Sequence, residues 1–260
     1  MDSPTLNTKA VLLVGGRGTR LRSVVPSEPK PLARFGQWSF LELLVRQLRH
    51  QGIRRIVLCT GYRASQIEGE FSNGHSLDVM IEYSTEVDPL GTAGALKLAE
   101  RHLQDVPHFL VMNGDSFVEI DFNELMCFHR QHDGLVSMAV RRVDNAGRYG
   151  TVHTDARKRI VRFAEKTGAS DPGLVNAGIC VFSREAMSHI PTGPSSLEIN
   201  VYPQLLQYGV YAYEQYGLFI DIGTPDDYAR AQQLCDQVYG VAFRTQWAAP
   251  RVSHACIEQS

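Results

Sequence analysis

In the first half of the chain, short apolar runs alternate with segments in which apolar residues recur every three or four positions. This alternation predicts strands separated by helices. Short apolar runs bounded by turn residues predict strands at residues 9–14, 54–60, 77–83 and 108–112. Apolar positions three or four residues apart predict helices at residues 39–50, 64–71, 92–102 and 121–132. This alternation is typical of βαβ units around a mostly parallel sheet.

The second half has a different pattern, with strands that follow one another across short turns. Strands are predicted at residues 135–143, 148–154, 160–166, 175–182, 211–214 and 218–222. Helices are predicted at residues 197–208, where Pro203 should end or kink the helix, and at residues 225–239. We interpret this half as a smaller, more antiparallel part that covers the ligand. Residues 1–240 then form one domain, and residues 241–260, which have no period, form a C-terminal tail.

Composition places this chain of 260 residues among globular proteins with a sizeable core, since 43% of residues are hydrophobic and 21% are charged. The formal net charge of −2 provides no basic field for nucleic acid or an anionic membrane. No apolar run approaches the ~20 residues that span a bilayer, and the N-terminus does not have the pattern of a secretory signal. The 5 cysteines are odd in number and scattered, which is typical of reduced thiols in the cytoplasm.

The first predicted strand runs into a glycine-rich loop at residues 15–20 (GGRGTR), and residues 29–31 (PKP) follow. Glycines let backbone N–H groups approach a ligand, and successive N–H groups bind anions. Arg20 and Lys30 add positive charge, so the loop suits a polyphosphate. A Walker A loop is excluded because the chain has no Gly-Lys pair, and a dinucleotide fingerprint is excluded by Leu21. A glycine-rich turn with two solvated basic residues is the plain structural alternative.

The spacing of residues 15–22 (GGRGTRLR) and 29–31 (PKP) resembles the signature of sugar-phosphate nucleotidyltransferases. The resemblance covers about residues 9–235 and implies a Rossmann-like α/β fold, with a mixed, mostly parallel sheet flanked by helices. Residues 90–94 (LGTAG) match the family's nucleobase-binding loop and look most like the guanylyltransferase members, although an ordinary helix start would also explain them. The nucleotide-binding residues that the resemblance implies are Gly15, Gly16, Gly18, Thr19, Gly91, Thr92 and Asn113.

Two carboxylates, Asp115 and Asp221, are candidate metal ligands. Asp115 follows the predicted strand at residues 108–112, where ligand groups in open α/β sheets collect, although Asn-Gly-Asp is also good turn chemistry. Asp221 stands among apolar residues, where an unpaired charge is costly. The resemblance assigns both to the family's metal-binding aspartates, and oxygen ligands of this kind suit Mg²⁺.

The resemblance also assigns residues to catalysis and to the sugar phosphate. Arg20, Lys30 and Lys166 would be catalytic, with Lys166 on the sugar phosphate and Glu165 on the sugar hydroxyls. An exposed Glu-Lys pair is the common structural alternative for the last two. The other sugar-binding residues that the resemblance implies are Gly150, Asn176 and Gly178.

The histidines receive no catalytic role. Cys127, His129 and His132 share one predicted helix, but a zinc site usually takes closer-matched pairs from two elements. We therefore interpret these three residues as a solvated helix face.

The implied reaction is attack by a sugar-1-phosphate oxygen on the α-phosphorus of GTP, with release of pyrophosphate. Residues 148–152 (RYGTV) and 219–223 (FIDIG) look most like enzymes that act on D-glycero-α-D-manno-heptose 1-phosphate, for capsule or lipopolysaccharide synthesis. Mannose 1-phosphate or another hexose 1-phosphate is the alternative acceptor. A non-catalytic sugar-nucleotide sensor is the alternative from another class of function. The expected partners are GTP and a sugar 1-phosphate in the cytoplasm, without nucleic acid or membrane, and a homodimer is left open.

Overall fold

The predicted alternation of strands and helices is confirmed in the computed structural model, which describes residues 8–148, 150–164 and 171–244. The elements of the first half are β1 (Lys9–Leu13), β2 (Arg34–Phe35), β3 (Trp38–Ser39), α1 (Phe40–His50), β4 (Arg55–Thr60), α2 (Ala64–Phe71), β5 (Met80–Thr85), α3 (Gly91–Leu98), β6 (His108–Asn113), β7 (Ser116–Val118) and α4 (Phe122–Gln131). Those of the second half are β8 (Val136–Val143), β9 (Thr151–Thr154), β10 (Ile160–Ala164), β11 (Gly173–Ser183), α5 (Tyr202–Leu205), β12 (Val210–Gln215), β13 (Phe219–Asp221), α6 (Pro225–Gln233) and α7 (Cys235–Ala242).

Nine strands of the described residues form one mixed sheet. Seven of them follow the order β10-β9-β11-β6-β1-β4-β5. The other two branch from this path, since β8 pairs with β11 and β12 pairs with β8. The strands β6, β1, β4 and β5 are parallel to one another. In contrast, β11 runs antiparallel to β6, β8 and β9. The sheet therefore has a parallel half and a more antiparallel half, as the sequence predicts.

β1 lies at the centre of the sheet and is buried on both faces. Leu12 packs in one apolar cluster with Leu44 of α1, whereas the neighbouring Val11 packs in a second cluster with Leu96 of α3. Successive residues of a strand point to opposite faces, so one strand supplies both clusters. A buried central strand fixes the position of the loop that follows it.

Side chains cap the N-termini of three of the helices. The Ser39 side chain accepts a hydrogen bond from the Glu42 N–H at the start of α1, and Asp121 accepts from Asn123 and Glu124 at the start of α4. Thr224 accepts from the Asp227 N–H ahead of α6, which begins with Pro225. Such caps satisfy N–H groups that have no partner inside the helix.

Several elements differ from the predicted boundaries. β5 begins at Met80 rather than at residue 77, because Gly74 (φ 83°) and Asp78 (φ 55°) fold the chain between them into a 3₁₀ turn. The predicted helix at 197–208 is a π-turn at Leu197–Val201 followed by the short α5, so Pro203 occupies the first turn of α5. The last helix breaks at Leu234 and continues as α7 to Ala242, beyond residue 240. Residues 245–260 of the predicted tail lie outside the described residues.

None of the helices within the described ranges has both the length and the apolar character that crossing a membrane requires.

Candidate active site

The loops after β1, β4, β5 and β6 meet at one edge of the sheet, because these four strands are parallel and end together. In open α/β sheets this carboxyl edge is where ligands bind. Two adjoining cavities lie there, of about 470 Å³ and about 210 Å³, and Asp115 lines both. The larger cavity is within the size range of small-molecule sites.

The glycine loop after β1 is held against Lys30. Gly18 has a φ of 57°, and a Cβ at this position would lie 2.7 Å from the Lys30 Cβ. A side chain at residue 18 would therefore push Lys30 away, and the left-handed backbone disfavours one as well. Gly18, Thr19, Arg20 and Lys30 all line the smaller cavity, so the structure brings this predicted phosphate-binding group together.

Lys30 forms a close ion pair with Asp115, at 2.5 Å between Nζ and Oδ2. The Lys30 side chain is 10% exposed and that of Asp115 33% exposed, so water screens the pair only partly. Asp115 follows β6 at the carboxyl edge. One predicted catalytic residue and one predicted metal ligand are thus in direct contact.

Asp221 is brought to Asp115 by an antiparallel pairing of β7 with β13, which we call the β7–β13 ribbon. In this ribbon Asp221 lies opposite Ser116, and the Ile222 N–H donates to the Asp115 backbone carbonyl at 3.0 Å. Burial raises the pKa of the Asp221 carboxyl, and the neighbouring charge of Asp115 raises it further. The charge of Lys30 and an N–H from Gly223 oppose this rise without cancelling it. When both carboxylates are ionised, their two negative charges exceed the single positive charge of Lys30.

These two carboxylates fit a hard divalent cation. Their donors are oxygens, and two ionised carboxylates beside the single Lys30 ammonium leave a net negative charge. Among the described side chains, no cluster of three or more histidine, cysteine or acidic residues could hold a metal. A cation at Asp115 and Asp221 would consequently take its other ligands from water and from substrate phosphates, as Mg²⁺ usually does.

The larger cavity gathers the predicted nucleotide-binding residues beyond the smaller one. Among its lining residues are Gly15, Gly16, Gly91, Thr92 and Asn113. The Ala93 and Gly94 N–H groups at the start of α3 already donate to the Ser195 carbonyl, at 3.0 and 3.3 Å. These two helix N–H groups are therefore already occupied by the protein itself.

The predicted sugar-binding residues are only partly described. The Gly178 backbone (φ 82°) lies so close to Asn113 that a Cβ would be 2.9 Å from its Nδ2, and the Gly178 N–H donates to Asn176. Gly150 lies beside Ala164, the last residue of β10. Glu165 and Lys166 lie outside the described residues. Because Asn113 lines the larger cavity, Asn176 and Gly178 lie near that cavity.

Sequence reasoning missed two carboxylates of the larger cavity, Glu86 and Glu198. Glu86 follows β5 and accepts the Leu90 N–H at 3.0 Å, and burial raises the pKa of its carboxyl. Its place at the end of a strand was a usable signal. Glu198 lies in the π-turn and reaches the cavity through the contact with α3, which no local sequence pattern indicates.

The interpretation of Cys127, His129 and His132 as a solvated helix face is wrong for His129. His129 is buried, with Nδ1 3.0 Å from the Ser137 hydroxyl and Nε2 3.0 Å from the Ser183 hydroxyl. Burial, together with the nearby His108, Arg130 and His132, lowers its pKa to about 3. Both ring nitrogens have partners, so His129 is a structural residue.

Solved structures similar to this one include HddC from Yersinia pseudotuberculosis in complex with GMP-PN, with a TM-score of 0.77 and 30% sequence identity. That comparison covers 87% of this chain and 98% of the HddC chain. A putative glucose-1-phosphate thymidylyltransferase from Bacillus anthracis has a TM-score of 0.79 over 93% of this chain, and at 22% identity it supports the fold alone.

Curated relatives include mannose-1-phosphate guanylyltransferase of Mycobacterium tuberculosis, which is 37% identical over 92% of this chain and 67% of its own length. Another is mannose-1-phosphate guanylyltransferase catalytic subunit beta of Drosophila pseudoobscura, 37% identical over 85% of this chain and 60% of its own length. The chain thus spans about 60–67% of the length of these relatives. The sequence profile of the family described as "Nucleotidyl transferase" matches residues 9–237, and the chain belongs to this family.

Proposed function

We propose that this protein is a sugar-1-phosphate guanylyltransferase, which joins GTP and a sugar 1-phosphate and releases pyrophosphate. The observation that carries the proposal is the group formed by Lys30, Asp115 and Asp221 where the two cavities meet. A nucleotide in the larger cavity would present its phosphates to this group. The curated relatives named guanylyltransferases support GTP as the nucleotide.

The main physical obstacle to this reaction is repulsion between two anions. At 4 Å, one pair of like charges repels by ~1 kcal/mol in water and by ~4 kcal/mol at a dielectric typical of a protein surface. Lys30, Arg20 and the backbone N–H groups of the glycine loop would lower this barrier from the smaller cavity. Mg²⁺ held by Asp115 and Asp221 would supply further positive charge to the phosphates. From the family resemblance, Lys166 would neutralise the sugar phosphate.

No general base is required. A phosphate monoester loses its second proton at a pKa of ~6, so the attacking oxygen is already ionised at neutral pH. The role of the protein is then to position the two substrates and to stabilise charge, as in other phosphoryl transfers. This agrees with the structural role of His129.

For the acceptor we propose D-glycero-α-D-manno-heptose 1-phosphate, with Gly150, Glu165, Asn176 and Gly178 on the sugar. The support is the likeness of residues 148–152 and 219–223 to heptose enzymes. The relatives named for mannose 1-phosphate favour the alternative acceptor. Heptose has one carbon and one hydroxyl more than mannose, so a site that bonds this hydroxyl discriminates strongly, whereas a merely roomy site does so by only ~1–3 kcal/mol.

The experiment is a matrix of four nucleoside triphosphates against heptose, mannose and glucose 1-phosphates with Mg²⁺, measured by pyrophosphate release. We expect the highest kcat/KM for GTP with the heptose phosphate. A preference for mannose 1-phosphate would overturn the acceptor and keep the enzyme class. Binding of GDP-sugar without any pyrophosphate release would instead support a sugar-nucleotide sensor.

A further inference from the structure

The turn after β4 lies directly against the glycine loop at the carboxyl edge of the sheet. The Tyr62 N–H donates to the Gly15 carbonyl at 3.1 Å, and a Cβ at Gly61 would lie 3.1 Å from the same oxygen. Tyr62 also lines the larger cavity, together with Gly15 and Gly16. The two loops are therefore in backbone contact, and the residue that follows Tyr62 is placed to influence the glycine loop.

That residue, Arg63, has a backbone conformation that is costly for an arginine. Its φ of 56° and ψ of 38° lie in the left-handed region, which disfavours residues with a Cβ. Glycine or asparagine would adopt this conformation at a lower cost. Arg63 occupies the N-cap position of α2, yet its side chain makes no capping hydrogen bond. A non-glycine residue held in such a region points to a function of its side chain.

The Arg63 side chain contacts the segment that follows the glycine loop, residues 22–28, which we call the connecting segment. Its guanidinium donates to the Ser27 carbonyl and lies over the Tyr62 ring, with Cζ 5.3 Å from the ring centroid. Arg22, at the other end of the connecting segment, lies over the same ring at 5.1 Å. Both distances are within the range of cation–π contacts. Tyr62 and Arg63 thus contact the connecting segment near both of its ends.

These contacts matter because the connecting segment is otherwise largely exposed. All of its residues are exposed except the half-buried Val25, which packs against the core. Arg20 lies just before the segment and Lys30 just after it, and both line the smaller cavity. A displacement of the segment would move these two positive charges relative to a bound triphosphate. A shift of about 1 Å in such groups can cost about 100-fold in rate.

We propose that Arg63 is a positioning residue for nucleotidyl transfer, which ties the connecting segment to the end of β4 and so fixes Arg20 and Lys30 at the triphosphate. Tyr62 supplies the surface on which Arg63 and Arg22 rest. The proposal rests on the proposed function, because it requires that Arg20 and Lys30 act on the phosphates of GTP. Glycine at residue 63 would relieve the left-handed backbone, but it could not make these contacts.

Arg63→Gly tests the proposal because it relieves the backbone while it removes the tie. Its Tm should equal or exceed that of the wild type. In contrast, kcat with GTP and the best sugar 1-phosphate should fall by about 10- to 100-fold. The KM for GTP should change by less than about threefold, since the lost interaction is one of the transition state. Trypsin should cleave the folded variant after Arg22 about tenfold faster, because the connecting segment is released.

Three further variants separate positioning from a general structural effect. Arg63→Asn also tolerates the left-handed backbone and should repeat the result of Arg63→Gly. Arg63→Lys keeps a cation and should retain more kcat than either, although it keeps the costly backbone. Lys158→Gly is the matched control, since Lys158 is also left-handed (φ 63°) and lies over an aromatic ring, that of Phe128, in the turn between β9 and β10. It should keep the wild-type kcat and the wild-type rate of cleavage after Arg22.

A double-mutant cycle with Lys30→Met tests whether Arg63 acts through the phosphate-binding charges. In that background, the loss of kcat caused by Arg63→Gly should be at least about threefold smaller than in the wild type. The reason is that one of the two charges that Arg63 positions is already gone.

The proposal is overturned if the effects of Arg63→Gly and Lys30→Met on kcat are independent. It is also overturned if Arg63→Gly and Arg63→Asn keep kcat within about twofold of the wild type, or if cleavage after Arg22 is unchanged. Failure of the proposed function is a different result, since the wild type would then release no pyrophosphate with any pair of substrates. In that case the trypsin rates alone would decide whether Arg63 holds the connecting segment.

Discussion

Lys30 Nζ lies 2.5 Å from Asp115 Oδ2, and this contact joins the phosphate-binding loop to the pair of carboxylates. Lys30→Met should lower turnover by about 100- to 1,000-fold, because one fixed positive charge at the phosphates is lost. It also leaves Asp115 and Asp221 facing each other without compensation. Mg²⁺ should therefore raise the Tm of Lys30→Met more than that of the wild type, as measured by thermal unfolding with and without the metal. An equal Mg²⁺ shift in both proteins would argue against a metal at these carboxylates.

Asp115→Asn and Asp221→Asn should each reduce turnover by about 100-fold or more, since each replaces a charged metal ligand. Without Mg²⁺, Asp221→Asn should be at least as stable as the wild type, because it removes a charge held beside Asp115. The matched control is Asp226→Asn, an exposed aspartate at the start of α6. Turnover assays across Mg²⁺ concentrations and Tm values test both statements. Near-wild-type turnover of either variant at limiting Mg²⁺ contradicts its assignment as a ligand.

Two of the three glycines of the loop, Gly16 and Gly18, should respond differently to alanine. Gly18→Ala places a methyl group 2.7 Å from the Lys30 Cβ at a left-handed backbone, so it should lose about 1–2 kcal/mol of stability as well as activity. Gly16→Ala meets no protein atom within 4 Å, yet residue 16 lines both cavities. It should keep the wild-type free energy of unfolding and raise the KM for GTP. Urea unfolding and steady-state kinetics measure the two effects, and equal loss of stability in both variants would refute this account.

His129 should matter for acid stability and not for chemistry. Its pKa is about 3 in the folded protein, whereas an unfolded histidine titrates near 6.5. The unfolded chain therefore binds the proton first, so stability falls as the pH drops from about 6.5 towards about 3, and this contribution is constant above that window. Half-buried His108, whose pKa is also lowered by burial, adds to the same fall.

His129→Gln tests this pair of statements. Urea unfolding at several pH values should show a shallower loss of stability below pH ~6.5 than in the wild type. Turnover of the folded variant at pH 7.5 should stay within a few-fold of wild type, and the same holds for glutamine at any other single histidine. A loss of about a thousandfold at one histidine, with the fold intact, would overturn a mechanism that lacks a general base.

Local chemistry made much of the fold and part of the site predictable. The Ser39, Asp121 and Thr224 caps depend on residues within three positions, so the sequence alone indicates them. The position of Asp115 at the two cavities is predictable because this residue follows an apolar strand. Asp221 is a candidate ligand from the sequence alone because an unpaired charge is costly in an apolar stretch. The position of each residue along its own element was enough.

What escaped prediction depends on contacts between distant segments. His129 has the spacing of a helix-face residue, and only the packing of α4 against Ser137 and Ser183 shows that it is buried. Glu198 reaches the cavity because the π-turn is seated on Thr92 of α3. The ion pair between Lys30 and Asp115 was not predictable either, because the sequence shows two charged residues and not the distance between them. Periodicity describes a segment and not its neighbour in space.

The β7–β13 ribbon also sets the order in which the site can be assembled during synthesis. The glycine loop, Lys30 and Asp115 all precede β8, whereas Asp221 is translated only after the antiparallel half of the sheet. A ribosome-bound chain that stops before Phe219 can thus present its phosphate-binding loop, but it lacks the second carboxylate. We expect such stalled chains to be inactive, and activity to begin only once β13 has left the exit tunnel and paired with β7. Pairing of β13 with β7 is therefore the step that brings the second carboxylate to the first.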